Sequence, residues 1–187
     1  MTCTVSDLPA MGLLSPNSLV FAKYWGSLPK VGLLPDRQLF APEDVRSILR
    51  NFVILEIVSP EEVRFRLAGT AEADRYGRDV TGLNYMDFVD PARRPKAHGA
   101  FQAMAATPCG MVATIQSKSS AGLDFINEAI GFPFSQGDGQ TPLLYFQSNT
   151  LTDYSFHDAY EDRLAEHTRV TRRFFIDIGA GIPDFSD

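Results

Sequence analysis

The stretch from Asn51 to Thr70, NFVILEIVSPEEVRFRLAGT, restricts the fold of this chain more than any other. Phe52 to Val58 is almost continuously apolar, as a centrally buried strand would be. Ser59-Pro60-Glu61-Glu62 interrupts the run with turn residues. Val63 to Ala68 then alternates, with Val63, Phe65 and Leu67 on one side and Arg64 and Arg66 on the other. Two such runs about a short polar turn read as a β-hairpin.

Beyond the hairpin the pattern turns helical. Gly69 ends the second strand, and Thr70 is placed to cap a short helix carrying Ala71, Ala73 and Tyr76, with Glu72 and Asp74 in its first turns. Next comes GRDVTGLNYMDFVD (Gly77 to Asp90), in which Leu83, Tyr85, Met86, Phe88 and Val89 crowd behind two glycines. Gly77 and Gly82 permit tight turns because glycine takes positive φ freely, so this apolar segment can fold down over a sheet. A longer helix is predicted from Pro91 to about Thr107, with Ala97, Ala100, Phe101 and Met104 on one face. Pro108 and Gly110 close it.

Three strand-like segments complete the core: Met111 to Ser119, Leu123 to Phe134 and Leu143 to Ser148. Ser120-Ala121-Gly122 and Gln136-Gly137-Asp138-Gly139-Gln140 connect them. Two strands, a helical insert and three strands make an α+β unit. The simplest arrangement is a five-stranded antiparallel sheet with the helices inserted between strands 2 and 3 and packed on one face.

The flanks divide the chain further. Residues 1–16 are rich in Pro, Gly and Ser and are expected to be a flexible N-terminus. Residues 17–50 form an N-terminal helical segment. Asn17 or Ser18 caps a helix through Leu19, Phe21, Ala22, Tyr24 and Trp25, and a second helix at about 42–50 starts on Pro42 and carries Val45, Ile48 and Leu49 on one face. Residues 51–150 are the core unit. Residues 151–187 hold a C-terminal helix from Phe156 to His167 and an extended RRFFIDIGAG segment.

With 44% hydrophobic residues and 14 Phe, one domain of this length can build a substantial core. A net charge of −6 argues against nucleic acid as a partner. The two basic runs, Arg93-Arg94-Pro95-Lys96 and Arg169 to Arg173, read as solvated faces or helix ends. Cys3 and Cys109 make neither a disulfide framework nor a CxxC pair. No apolar run reaches the roughly 18–20 residues needed to span a bilayer, and the N-terminus lacks the pattern of a signal peptide. The expectation is a soluble, cytoplasmic protein without a membrane partner. Motifs for a nucleophile elbow, a phosphate loop or a zinc peptidase are missing. Gly137-Asp138-Gly139 reads as a turn, and Gly179-Ala180-Gly181 precedes Ile182-Pro183 rather than a helix.

The order of elements, with Tyr76-Gly77, Thr81-Gly82-Leu83 and Asp87-Phe88-Val89-Asp90-Pro91 in the insert, resembles the PAS domain. More narrowly, LPDRQLFAPEDVRSILRNFVILEIV (Leu34 to Val58), FRLAGT (Phe65 to Thr70), YGRDVTG (Tyr76 to Gly82) and DIGAG (Asp177 to Gly181) resemble a group of stand-alone PAS-like proteins common in alphaproteobacteria. The resemblance covers about residues 20–150 and the tail. It implies a PAS fold and a sensory or signalling role, and supplies neither ligand nor catalytic residue.

PAS domains use several cofactors, and the residues here bear on each. A photoactive flavin domain carries a cysteine on the first insert helices. Here Cys3 and Cys109 flank the whole insert, so that chemistry is not expected. Haem-binding relatives place an axial His on or near the long helix, where His98 sits without a supporting signature. His157 and Glu161, spaced i, i+4, and His167 read as a solvated face, so no metal site is expected. The cofactor is otherwise open.

The candidate ligand-binding residues are Phe65, Leu67, Tyr76, Tyr85, Phe88, His98, Phe101, Met104 and Ile115. They either line a cavity between insert and sheet or simply fill the core. The sheet's other apolar face needs cover from the helix with Phe21, Tyr24 and Trp25, in cis or from a second subunit, and a homodimer is expected on that ground. The resulting expectation is a non-catalytic sensory or signalling domain that binds a small molecule, a protein partner or both. Two alternatives are a small thioesterase-like or isomerase-like enzyme on another helix-on-sheet fold and a dimeric adaptor with a filled core. The enzyme folds place one long helix early, before four or five strands, and two strands preceding the insert argue against them.

Overall fold

A computed structural model describes residues 4–10, 12, 15–119, 122, 124–137, 139–152 and 168–186. Helix α1 (Pro16–Ser27) precedes the hairpin of β1 (Phe52–Ser59) and β2 (Glu62–Ala68). The insert holds α2 (Thr70–Tyr76), a 3-10 turn at Tyr85–Phe88 and α3 (Arg94–Ala106). Strands β3 (Cys109–Lys118), β4 (Asp124–Phe134), β5 (Leu143–Thr150) and β6 (Arg169–Asp177) complete the order. The α+β class and the insert between strands 2 and 3 are as expected.

The sheet has six strands rather than five, in the order β2-β1-β5-β4-β3-β6, and all pairings are antiparallel. The extra strand is RVTRRFFID, which takes in the basic run Arg169 to Arg173 and most of the expected extended segment and runs along β3 from Cys109↔Asp177 to Gln116↔Arg169. Its alternation sends Phe175 to one face and Phe174 to the other. That pairing covers an edge of β3 that would otherwise present unpaired backbone groups. The helix expected at 156–167, with His157, Glu161 and His167, lies outside the described residues.

Parity along β2 also departs from simple alternation. Leu55 pairs with Phe65 and Ile54 with Leu67, so Arg66 is an extra residue on the β2 side. This β-bulge shifts the side-chain phase by one. Phe65 is 1% exposed on the insert-facing side, whereas Leu67 is 43% exposed and faces away from it. Beyond the strand, Gly69 is the N-cap of α2, in place of the expected Thr70.

The face opposite the insert is covered by this chain's own N-terminal segment. Phe21 lies edge-on to Phe52 and Phe132, and Trp25 stacks on Phe132 at 4.6 Å while its indole N–H donates to the Pro133 carbonyl. Leu8, in the stretch expected to be flexible, is fully buried in the same cluster. Ser15, not Asn17 or Ser18, is the N-cap of α1, and no side chain caps it locally. Instead the buried Glu128 carboxylate of β4 accepts from the Ser15 N–H at 3.0 Å and the Ser18 hydroxyl at 2.7 Å. A negative charge at a helix N-terminus is favourable. Residues Pro42–Asn51 form 3-10 turns broken at Val45, rather than one α-helix, and bury Val45 and Ile48 against the same face. No helix among the described residues is long and apolar enough to cross a membrane.

Candidate functional site

The insert is pinned to the edge of β2 by backbone pairing. Gly82 N–H donates to Phe65 O, and Phe65 N–H donates to Leu83 O. Asn84 extends the seam: its Oδ1 accepts from Val63 N–H and Met86 N–H, and its Nδ2 donates to Glu61 O. Gly77 ends α2 at φ 67° and turns the chain into this seam. The apolar crowd of Gly77 to Asp90 thereby faces the sheet.

Its aromatic rings form a continuous chain. Tyr76 and Phe88 lie 4.6 Å apart, Phe65 meets both as well as Tyr85, and Tyr85 contacts Phe101, which contacts Phe146. Between this chain and the sheet is a cavity of about 70 Å³, mostly apolar in its lining. Five of the candidate residues line it: Phe65, Tyr76, Tyr85, Phe101 and Ile115. Phe88 and Met104 pack in the core around them without reaching the space. Leu67 is turned away by the bulge. His98 is also elsewhere, in a surface groove of about 440 Å³ beside Pro60, Asn84 and Arg94. The face of α3 toward the sheet is Ala97, Ala100, Phe101 and Met104, and His98 follows Ala97 by a single residue, which is about 100° around the helix.

The sequence reading missed the polar corner of this cavity. Glu72 and Arg75 share one face of α2 at i, i+3 spacing and are 2% and 4% exposed. Arg75 Nη1 donates to both Glu72 oxygens at 2.7 Å and to Ser148 Oγ at 3.2 Å, and Nη2 reaches Thr150 Oγ1 at 3.5 Å. Arg75 Nε is buried with no partner among the described residues. Asn127 lines the cavity from β4, between its cross-strand neighbours Ile115 and Thr150, and its Oδ1 is likewise buried without a partner among them. One signal for it was available: alternation puts Asn127 on the same face of β4 as Phe125 and Ala129, a polar residue between apolar ones. Burial raises the phenol pKa of Tyr76 well above the usual range, and the Glu72 charge adds to the effect. Burial raises that of Tyr85 too, against the pull of Arg173. Both phenols are therefore neutral hydrogen-bonding groups at ordinary pH.

A smaller space of about 20 Å³ adjoins the cavity between α3 and β6. It shares Tyr85, Ala97, Thr168, Val170 and Arg173 with the cavity and adds Arg93 and Lys96. Thr168 ties this wall to the insert, donating from both its N–H and its hydroxyl to Phe88 O.

The residues present do not fit haem. His98 is off the cavity, and about 70 Å³ is well short of the roughly 300–1,000 Å³ typical of ligand sites. They do not fit cysteine-based flavin photochemistry either. No cysteine is among the described lining residues, and the buried Cys109 thiol is pushed up to about 12 by desolvation and by Asp177. Among the described residues, no three of His, Cys, Asp and Glu come together to hold a metal ion.

An antiparallel sheet carrying a helical insert between its second and third strands, over a small inner cavity, defines an α+β module of the PAS-like class. The chain belongs to the PAS domain family, whose profile matches residues 14–145. PAS domains are in general sensory and non-catalytic. No curated protein matches the sequence. Among solved structures, it is similar to an RNA-binding Light-Oxygen-Voltage receptor, at 19% identity and a TM-score of 0.46, over 66% of this chain and 36% of that one. It is also similar to a Light-Oxygen-Voltage domain studied with a flavin analogue, at 16% identity and a TM-score of 0.44, over 64% of this chain and 87% of that one. The chain thus spans about a third of the first structure's length.

Proposed function

We propose that this protein is a non-catalytic sensory domain that takes a small molecule into the cavity under its helical insert and relays occupancy to a protein partner. The observation that carries this reading is the polar corner: two buried hydrogen-bonding atoms, Arg75 Nε and Asn127 Oδ1, lack partners among the described residues around an apolar cavity. Leaving such groups unpaired costs about 1–3 kcal/mol each, and a bound molecule would recover that cost. A cytoplasmic setting belongs to the proposal, as does the division into an N-terminal segment at 17–50, a core at 51–150 and a C-terminal extension. A homodimer is not needed to cover the outer face, because α1 covers it in cis.

Native mass spectrometry of the purified chain, followed by denaturing extraction, tests the reading. A small molecule released on denaturation, or one that raises the melting temperature, is the expected result. Turnover of that molecule would overturn the non-catalytic claim. The small volume favours a second reading, an adaptor with a filled core. Finding only water and no stabilising small molecule would select it.

A further inference from the structure

The cavity's dimensions and unpaired atoms narrow the ligand's chemistry. A volume of about 70 Å³ lies well below the roughly 300–1,000 Å³ of drug-sized ligand sites, so the ligand is small. Arg75 Nε is a charged donor and asks for an acceptor, best an anionic one, since charge-assisted hydrogen bonds are the stronger class. Asn127 Oδ1 is an acceptor and asks for a donor. The two lie in one corner: Arg75 Nη2 reaches Thr150 Oγ1, and Thr150 is the cross-strand neighbour of Asn127. The ligand therefore presents an acceptor and a donor close together. The space between α3 and β6 is edged by Arg93, Lys96 and Arg173, a basic approach that raises the local concentration of anions.

We infer that the cavity binds a short carboxylate bearing a hydrogen-bond donor on the neighbouring carbon, that is, a small 2-hydroxy or 2-amino acid. The carboxylate accepts from Arg75 Nε, the adjacent hydroxyl or ammonium donates to Asn127 Oδ1, and any methyl group lies against Ile115 and Phe101. This assignment rests on the protein being a small-molecule sensor. Glu72 also lines the cavity, but both its oxygens are engaged by Arg75 Nη1, which leaves Nε for the ligand, and Tyr76 and Tyr85, held neutral by burial, add no further negative charge.

Calorimetric titration of the full chain with lactate, alanine, propionate and 1-propanol tests the assignment. Lactate or alanine binds, and which of the two is tighter identifies the donor. Propionate, lacking the donor, binds roughly tenfold more weakly, the loss of about one hydrogen bond, and 1-propanol does not bind. Asn127→Ala weakens the donor-bearing acid by the same roughly tenfold factor and leaves propionate unchanged, a split that general damage to the fold would not produce. Lys96→Glu, at a half-buried position on the approach, weakens all the acids at low salt and less so at high salt. Equal binding of lactate, alanine and propionate to the wild-type chain would overturn the donor–acceptor pairing. Failure of every acid, alongside a neutral molecule found by mass spectrometry, would overturn this inference and leave the sensory reading standing. Failure of every acid with only water in the cavity would overturn both.

Discussion

Arg75 donates from one guanidinium nitrogen to both oxygens of Glu72, 2.7 Å to each, with the two side chains only 5% and 3% exposed. Desolvating two charges is expensive, and a buried pair of this kind is weak evidence for stability in itself. Removing one partner is another matter. Glu72→Ala leaves the guanidinium buried and uncompensated and should destabilise the fold by about 3–5 kcal/mol. The double variant Glu72→Leu, Arg75→Met should recover most of that loss, because it removes both charges. Urea unfolding of the three chains checks both statements. Near-equal stability of Glu72→Ala and wild type would show that the pair is not desolvated in solution.

The outer face depends on a second buried carboxylate. Glu128 ties Ser15 and Ser18 at the start of α1 to the middle of the sheet. Glu128→Ala should cost about 2–4 kcal/mol, for the loss of two hydrogen bonds to a charged acceptor. It should also release α1, so that limited proteolysis cuts near Phe21 and Tyr24, which the sheet protects in wild type. Unchanged protection in the variant would show that Phe21 and Trp25 hold α1 without it.

Much of this architecture was legible because its signals are local. The turn at Ser59 to Glu62, the alternation of Val63 to Phe65 and the glycine-framed insert each lie within a few residues, and they specify the hairpin, the insert and its aromatic plug. The errors arose where distant contacts decide. β6 pairs with β3 across more than fifty positions of sequence, and nothing within RRFFIDI says which strand it will join. Leu67 was misplaced because a single extra residue, Arg66, reverses parity, and a period-2 pattern carries no mark of a bulge. Glu72 and Arg75 have the composition of a solvated helix face. They are buried all the same, and Arg75 meets Ser148 and Thr150, far along the chain on β5.

The glycines of the insert motifs serve different ends, and substitution should separate them. Gly69 has an ordinary φ of −70°, yet a Cβ there would fall 2.3 Å from the Arg50 carbonyl oxygen, a backbone atom that cannot step aside. Gly82 sits at φ +86° with open space around it. Gly82→Ala should cost about 1 kcal/mol or somewhat more, from left-handed backbone strain alone. Gly69→Ala should cost clearly more, about 3 kcal/mol, as overpacking costs do when backbone must shift. Equal losses in thermal unfolding would remove the distinction.

Cys109, fully buried at the start of β3, supplies a pH signature. Its thiol is raised from 9.0 to about 12, first by desolvation and second by Asp177. Below pH 9 the folded and unfolded chains both hold the proton, so the contribution of the buried neutral thiol is fully present. Between pH 9 and 12 the unfolded chain releases its proton while the folded chain keeps it, so stability falls as pH rises. The buried phenols of Tyr76, Tyr85 and Tyr145, also raised by burial, act in the same direction at higher pH. Cys109→Ala should be less stable than wild type at pH 7 by about 1 kcal/mol, the loss of one buried heavy atom. That gap should shrink steadily when unfolding is measured at pH 9, 10 and 10.5, because only the wild-type chain has this proton to lose. In a Cys3→Ser background, a thiol reagent at pH 8 should modify the folded chain negligibly and the urea-unfolded chain fully. Fast labelling of the folded chain, or a gap that does not change with pH, would show that the thiol is neither buried nor shifted as described.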